Sequence, residues 1–155
     1  MEIRMANNGD IPGIIDLLLQ VGEVHHKIRP DLFRAGAQKY DEKALEAMLQ
    51  DPNRPIFAAV ENGKLLGYCF CILEITKDNP VLMDQKSLYI DDLCVDENVR
   101  GKHVGAKLYD FALDYARKIG CDSLTLNVWC GNDSAMKFYE SRGLKPRNIH
   151  METVL

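Results

Sequence analysis

A chain of 155 residues with 46% hydrophobic content is enough for one sizeable core, and a single domain over residues 1–155 is expected. Nineteen basic against 23 acidic side chains leave a net charge of −4, which argues against a general nucleic-acid binder and leaves room for a cationic substrate. Five cysteines form an odd set without a CxxC pair, and the four histidines lack metal-type spacing, so buried free thiols in a reducing cytoplasm are expected rather than disulfides or a structural zinc. No signal sequence opens the chain and no apolar run approaches a membrane span, so no membrane partner is expected.

Glu2 to Met5 alternates as a short first strand. Asp10 then reads as the N-cap of a helix with Pro12 in its first turn, carrying Ile11, Ile14, Ile15 and Leu18 on one face up to Gly22. The segment His25 to Pro30 looks less regular, since Pro30 disfavours helix before it. Its two histidines read either as solvated side chains or as part of a substrate pocket. Asp41 caps a further helix with Ala44, Leu45, Met48 and Leu49 on its packing face.

From Pro55 the period changes. Ile56 to Val60 and Leu65 to Ile75 are expected to be two strands joined at Asn62-Gly63, a pair suited to the positive φ angles of a type I′ hairpin. A looser segment with Pro80 leads to a strand starting at Leu88, and a helix from Gly105 to Ile119 follows, stopped by Gly120. A strand over Ser123–Trp129, a short helix over Asn132–Ser141 and a final extended segment over Lys145–Leu155 complete the chain. The antiparallel hairpin ahead of a strand–helix–strand unit indicates one α/β sheet with helices on its faces.

Between the Leu88 strand and the Gly105 helix lies a basic, glycine-containing turn. A helix leaves its first N–H groups unpaired, and small residues let an anion approach them closely. Arg100 and Lys102 add positive charge, Gly101 and Gly105 give the backbone freedom, and Ala106 stays small. The turn therefore reads as a phosphate site.

These residues carry a resemblance. The chain is similar to the GNAT superfamily of N-acetyltransferases over nearly its full length. The family's acetyl-CoA signature is Arg or Gln, two free positions, Gly, one free position, then Gly or Ala, and Arg100 and Gly105 match it after a strand and at the opening of a helix. His103 stands where the first signature glycine is usual; histidine tolerates left-handed backbone better than most residues. A second match lies at NDSAMKFYESRG, where Asn132, Ala135, Phe138, Tyr139 and Gly143 stand as in the family's N..A..FYE..G pattern.

The resemblance implies a mixed, mainly antiparallel sheet flanked by helices, with a splayed central strand pair, and acetyl-CoA as co-substrate without a metal. It implies pyrophosphate held by main-chain amides from His103 through Val104 and Gly105 to Ala106, and the pantetheine arm held by the main chain at Leu93 and Val95. Asn132 would contact the cofactor or cap its helix, and Tyr139 would protonate the departing thiolate.

Asp91 and Asp92 interrupt an apolar run, and strand alternation sends their side chains to opposite faces. The pair is similar to the acidic pair of polyamine acetyltransferases in the superfamily, whose first acid is a proposed proton acceptor. Asp91 is therefore the first choice of base, because a primary amine must lose a proton before it attacks a thioester. Asp92 would orient the ammonium or brace the sheet, and Glu74 on the hairpin is a further base or amine contact. The expected reaction is direct transfer to a primary amine of a small molecule. Acetylation of a protein lysine or N-terminus, and a non-catalytic acyl-CoA sensor, are the alternatives. Dimers are common among proteins of this kind, so a homodimer belongs with the expected partners.

Overall fold

Asn62 and Gly63 adopt φ angles of +52° and +75°, the left-handed pair that a two-residue hairpin demands. In this computed structural model, which describes residues 1–99 and 101–155, that turn joins β2 (Ile56–Glu61) to β3 (Lys64–Thr76). Three further strands, β1 (Glu2–Met5), β4 (Gln85–Val95) and β5 (Ser123–Leu126), extend the sheet in the order β1-β2-β3-β4-β5. Every pairing is antiparallel except the last, β4 with β5, which is parallel.

Four helices cover the two faces: α1 (Ile11–Ile28) and α2 (Glu42–Leu49) on one, α3 (Val104–Lys118) and α4 (Asp133–Ser141) on the other. The strand pattern explains two separate cores. Alternate residues of β3 go to opposite sides, so Tyr68 and Phe70 pack with Ile14, Leu18 and Leu45, whereas Cys69 and Cys71 pack with Leu108 and Ala112. Cys69, Cys71 and Cys94 are buried thiols. Among the described residues no helix is long and apolar enough to cross a membrane.

Several local expectations change. Helix α1 does not stop at Gly22 but runs on to Ile28, through His25 and His26. Gly22 is there for close approach: a Cβ would stand 2.7 Å from the Ala37 carbonyl oxygen. The helix ends where the residue before Pro30 must leave helical backbone, at Arg29 (φ −137°, ψ 76°). Strand β5 ends at Leu126 rather than Trp129, whose ring turns to meet Phe33 edge-on with centroids 5.1 Å apart. Residues 145–155 form no regular element.

Asp10 also differs from expectation, because its side chain does not cap α1. Asn7 caps the preceding 3₁₀ turn, and the Asp10 carboxylate accepts from the Asn7 N–H at 2.8 Å and from both Arg4 nitrogens at 2.7 and 3.0 Å. Burial alone would raise the Asp10 carboxyl, but these donors hold it below its usual range. Removing a buried acceptor of three donors should cost about 2–3 kcal/mol, so Asp10→Ala should lower the urea midpoint accordingly. The depressed carboxyl stabilises the fold above the ordinary carboxylate range and loses that contribution as pH falls through its native value. The gap between wild type and variant should therefore narrow in acid; a constant gap would contradict this account.

Candidate active site

Helix α3 buries Val104, Leu108, Ala112 and Ala116 against the sheet, so its N-terminus is fixed beside the end of β4. Its N-cap is His103, with φ 58° and ψ 24°, and no side-chain cap is made. Histidine thus takes the left-handed conformation in which a glycine is more usual. The bond from Lys107 N to His103 O, 3.1 Å, closes the first helical turn. The N–H groups of Val104, Gly105 and Ala106 come before it and have no intrahelical acceptor.

A groove of about 410 Å³ opens over these amides, lined in part by Val95, Gly101, His103, Ala106 and Arg142. A Cβ on Gly105 would lie 3.5 Å from Val95 Cγ2 and 3.7 Å from Leu93 Cδ2. That is ordinary contact, so alanine fits while a larger side chain meets β4. Lys102 lies at the rim with its Nζ 3.7 Å from Glu61 Oε2. Arg100 lies outside the described residues. Strain at His103 gives a prediction: His103→Val puts a branched side chain at positive φ and should cost about 1–2 kcal/mol, whereas His103→Gly should not destabilise the fold. Thermal unfolding of the pair checks this.

Strand β4 carries the next part of the site. Phe70 pairs with Asp92 and Cys71 with Ile90, so Asp91 is an extra residue, a β-bulge, in the ladder with β3. Pairing with β5 spans only Ser87–Ile90 against Ser123–Leu126. From Asp91 to Val95 the strand continues past the end of β5, and the pair splays apart. Roughly 13 Å of strand edge is opened in this way. Leu93 and Val95 lie along it, half-buried against the α3 face.

The bulge corrects the expectation that the two acids face opposite ways. An inserted residue breaks alternation, and both carboxylates turn to the α1/α2 face. Asp91 Oδ2 accepts from Tyr40 Oη at 3.1 Å and Lys39 Nζ at 2.7 Å. Asp92 Oδ2 accepts from Tyr68 Oη at 2.7 Å. Burial raises the Asp92 carboxyl above its usual range, against the lowering effect of the Tyr68 hydrogen bond and of Lys39 and His25. Glu74 faces the same side by alternation from Phe70, at an exposed position opposite Ser87.

Tyr139 approaches from the other face. Asn132 caps α4 through Oδ1 to the Ala135 N–H, 3.3 Å, so the cap half of its expected role is formed by the chain itself. The Tyr139 ring packs on Phe138, with centroids 5.1 Å apart, and on Tyr109, 6.3 Å. Burial, reinforced by the neighbouring Cys69 and Asp92, holds its phenol well above the usual range, and it stays protonated at neutral pH. Tyr139 and the acids thus lie on opposite faces of the sheet. Of the two acids, Asp92 contributes to the raised Tyr139 phenol.

Four neighbours of the acids carry no sequence signal: Lys39 and Tyr40 in an irregular loop, Tyr68 in a core strand, and Tyr89, which accepts from Asn127 Nδ2 at 3.2 Å. The histidines resolve differently from one another. His26 Nδ1 bonds the Phe33 carbonyl at 2.7 Å, and His25 stacks on the Phe33 ring at 5.0 Å on the side of Asp92.

An uncapped helix N-terminus thus stands beside a splayed strand pair, and the chain as a whole is similar to known proteins. Residues 22–144 match the model of the acetyltransferase (GNAT) family. The chain is 32% identical over 146 residues to the uncharacterized N-acetyltransferase YhfO of Bacillus subtilis, covering 92% of this chain and 89% of that protein. A solved structure of a tetramutant of the BH1408 protein from Bacillus halodurans superposes with a TM-score of 0.95 at 31% identity, covering 100% of this chain and 100% of that one. An aminoglycoside N-acetyltransferase in complex with CoA shares the fold at a TM-score of 0.71 and 16% identity, covering 99% of this chain and 100% of that one. The chain belongs to the GNAT acetyltransferase family and is an acetyltransferase.

Proposed function

We propose that the protein transfers the acetyl group of acetyl-CoA to a primary amine of a small molecule by direct attack in a ternary complex. The single observation that carries this reading is the opening of the sheet beyond Ile90/Leu126: two acids lie beside it on one face, and from the other face the Tyr139 phenol feels the charge of Asp92. The residues present fit acetyl-CoA. The amides of Val104, Gly105 and Ala106 suit a pyrophosphate, and the main chain at Leu93 and Val95 offers hydrogen bonds that no side-chain change removes.

The thioester supplies the acetyl group; the chain's own residues do the rest. The turn at Gly101 to Ala106, with Arg100 and Lys102 adding positive charge, anchors the phosphate end. The open edge of β4 would hold the arm through the main-chain groups at Leu93 and Val95. At the bulge Asp91 takes a proton from the bound ammonium, Asp92 and Glu74 supply negative potential that favours a cation, and Tyr139 gives its proton to the departing sulfur. No nucleophilic cysteine is needed: Cys69 and Cys71 are buried, and their mutual contact together with burial raises the Cys69 thiol.

A small amine is favoured over a protein acceptor by Asp91 and Asp92, with Glu74 further along the same face, which give that face a negative potential suited to a cation. The buried thiols support a reducing, cytoplasmic setting. Thiol release from acetyl-CoA with polyamines, amino acids, aminoglycosides and short peptides distinguishes the readings. Release with the amines supports this proposal, release with peptides alone favours a protein acetyltransferase, and CoA binding without release favours a sensor.

A further inference from the structure

The carboxylate proposed as base already holds a primary amine. Lys39, in the loop between α1 and α2, places its Nζ 2.7 Å from Asp91 Oδ2 and 5.4 Å from the centroid of the Tyr40 ring. Tyr40 Oη donates to the same carboxylate oxygen at 3.1 Å. A carboxylate with an aromatic face beside it is the recognition set for an alkylammonium. The Lys39 side chain is 44% exposed, and an ion pair of that exposure contributes little to the fold. Its position is therefore not demanded by stability. Asp91 is also the bulge residue, next to the point where β4 and β5 part.

We propose that Lys39 is a self-acetylation site: the chain's own acceptor when no outside amine occupies the pocket. This rests on the reading of the open β4 edge as the acetyl-CoA site. Nζ forms a bond to the acetyl carbonyl carbon and the carbon–sulfur bond breaks, giving Nε-acetyllysine and free coenzyme A. Of the two protons that leave the ammonium, one passes through Asp91 to solvent. The other replaces the proton that Tyr139 gives to sulfur. The modified side chain is neutral and loses its ion pair with Asp91, which leaves the carboxylate to an incoming amine.

The test is to incubate the purified chain with acetyl-CoA and no amine, then follow intact mass and map the modified peptide. One acetyl group should appear on Lys39, at a first-order rate independent of protein concentration. Lys39→Arg should remove it, and Tyr139→Phe should slow it about tenfold or more. Acetylation spread over many lysines and unchanged by Tyr139→Phe would be uncatalysed chemistry and would overturn the proposal. So would an unmodified Lys39 in a chain that calorimetry shows to bind CoA, with the acetyl-CoA site left standing. Absence of CoA binding would remove that site and the self-acetylation together.

Discussion

Tyr139→Phe should lower kcat by about 100-fold while leaving the Kd for CoA within about threefold, because a positioned general acid contributes about 10²–10⁴ to rate. The phenol suits the part. It is half-buried on α4, kept protonated by burial and by the charges around it, and held by ring contacts to Phe138 and Tyr109. Phenylalanine preserves those contacts and removes only the oxygen, so the fold should be intact. Steady-state kinetics with calorimetry on the same preparation separates the two quantities. A loss of CoA affinity as large as the loss of rate would move Tyr139 from chemistry to binding.

Asp91→Asn should reduce kcat/KM for the amine by about 100-fold or more at neutral pH, again with CoA binding unchanged. The amide keeps the shape and can still accept from Tyr40, but it cannot take a proton. Asp92→Asn should act more weakly, because Asp92 sits behind the bulge with Tyr68 as its partner. The two variants compared at one pH decide between the acids, and a larger loss for Asp92→Asn would make Asp92 the base. Stability gives an independent sign. Since burial raises the Asp92 carboxyl, ionising it costs the fold more as pH rises from the ordinary carboxylate range through its native value. Asp92→Asn should escape that cost, and its unfolding temperature should fall less than that of the wild type across the same window.

What the sequence made legible was local. The hairpin at Asn62-Gly63, the cap at Asp41, the left-handed glycine after α3 and the cap at Asn132 are each set by one or two residues and their immediate backbone, and each is found. The glycine at 22 misled because a helix-stopping residue and a close-packing residue look alike until the Ala37 carbonyl is in place. The acids misled for the same reason. Strict alternation holds only in an unbroken ladder, and the extra residue at Asp91 is created by pairing with β3, not by the sequence of β4. Lys39 and Tyr40 were invisible because they reach Asp91 from an irregular loop far away along the chain. The turn at His103 lay between: the basic, glycine-containing pattern marked the place, and only the backbone angle of +58° shows histidine filling the role of a glycine.

The most direct measurement is release of free thiol from acetyl-CoA by the purified chain, with and without a panel of primary amines. The account predicts release that depends on both acetyl-CoA and an amine and that saturates in each. CoA binding with no amine-dependent release across the panel would contradict it.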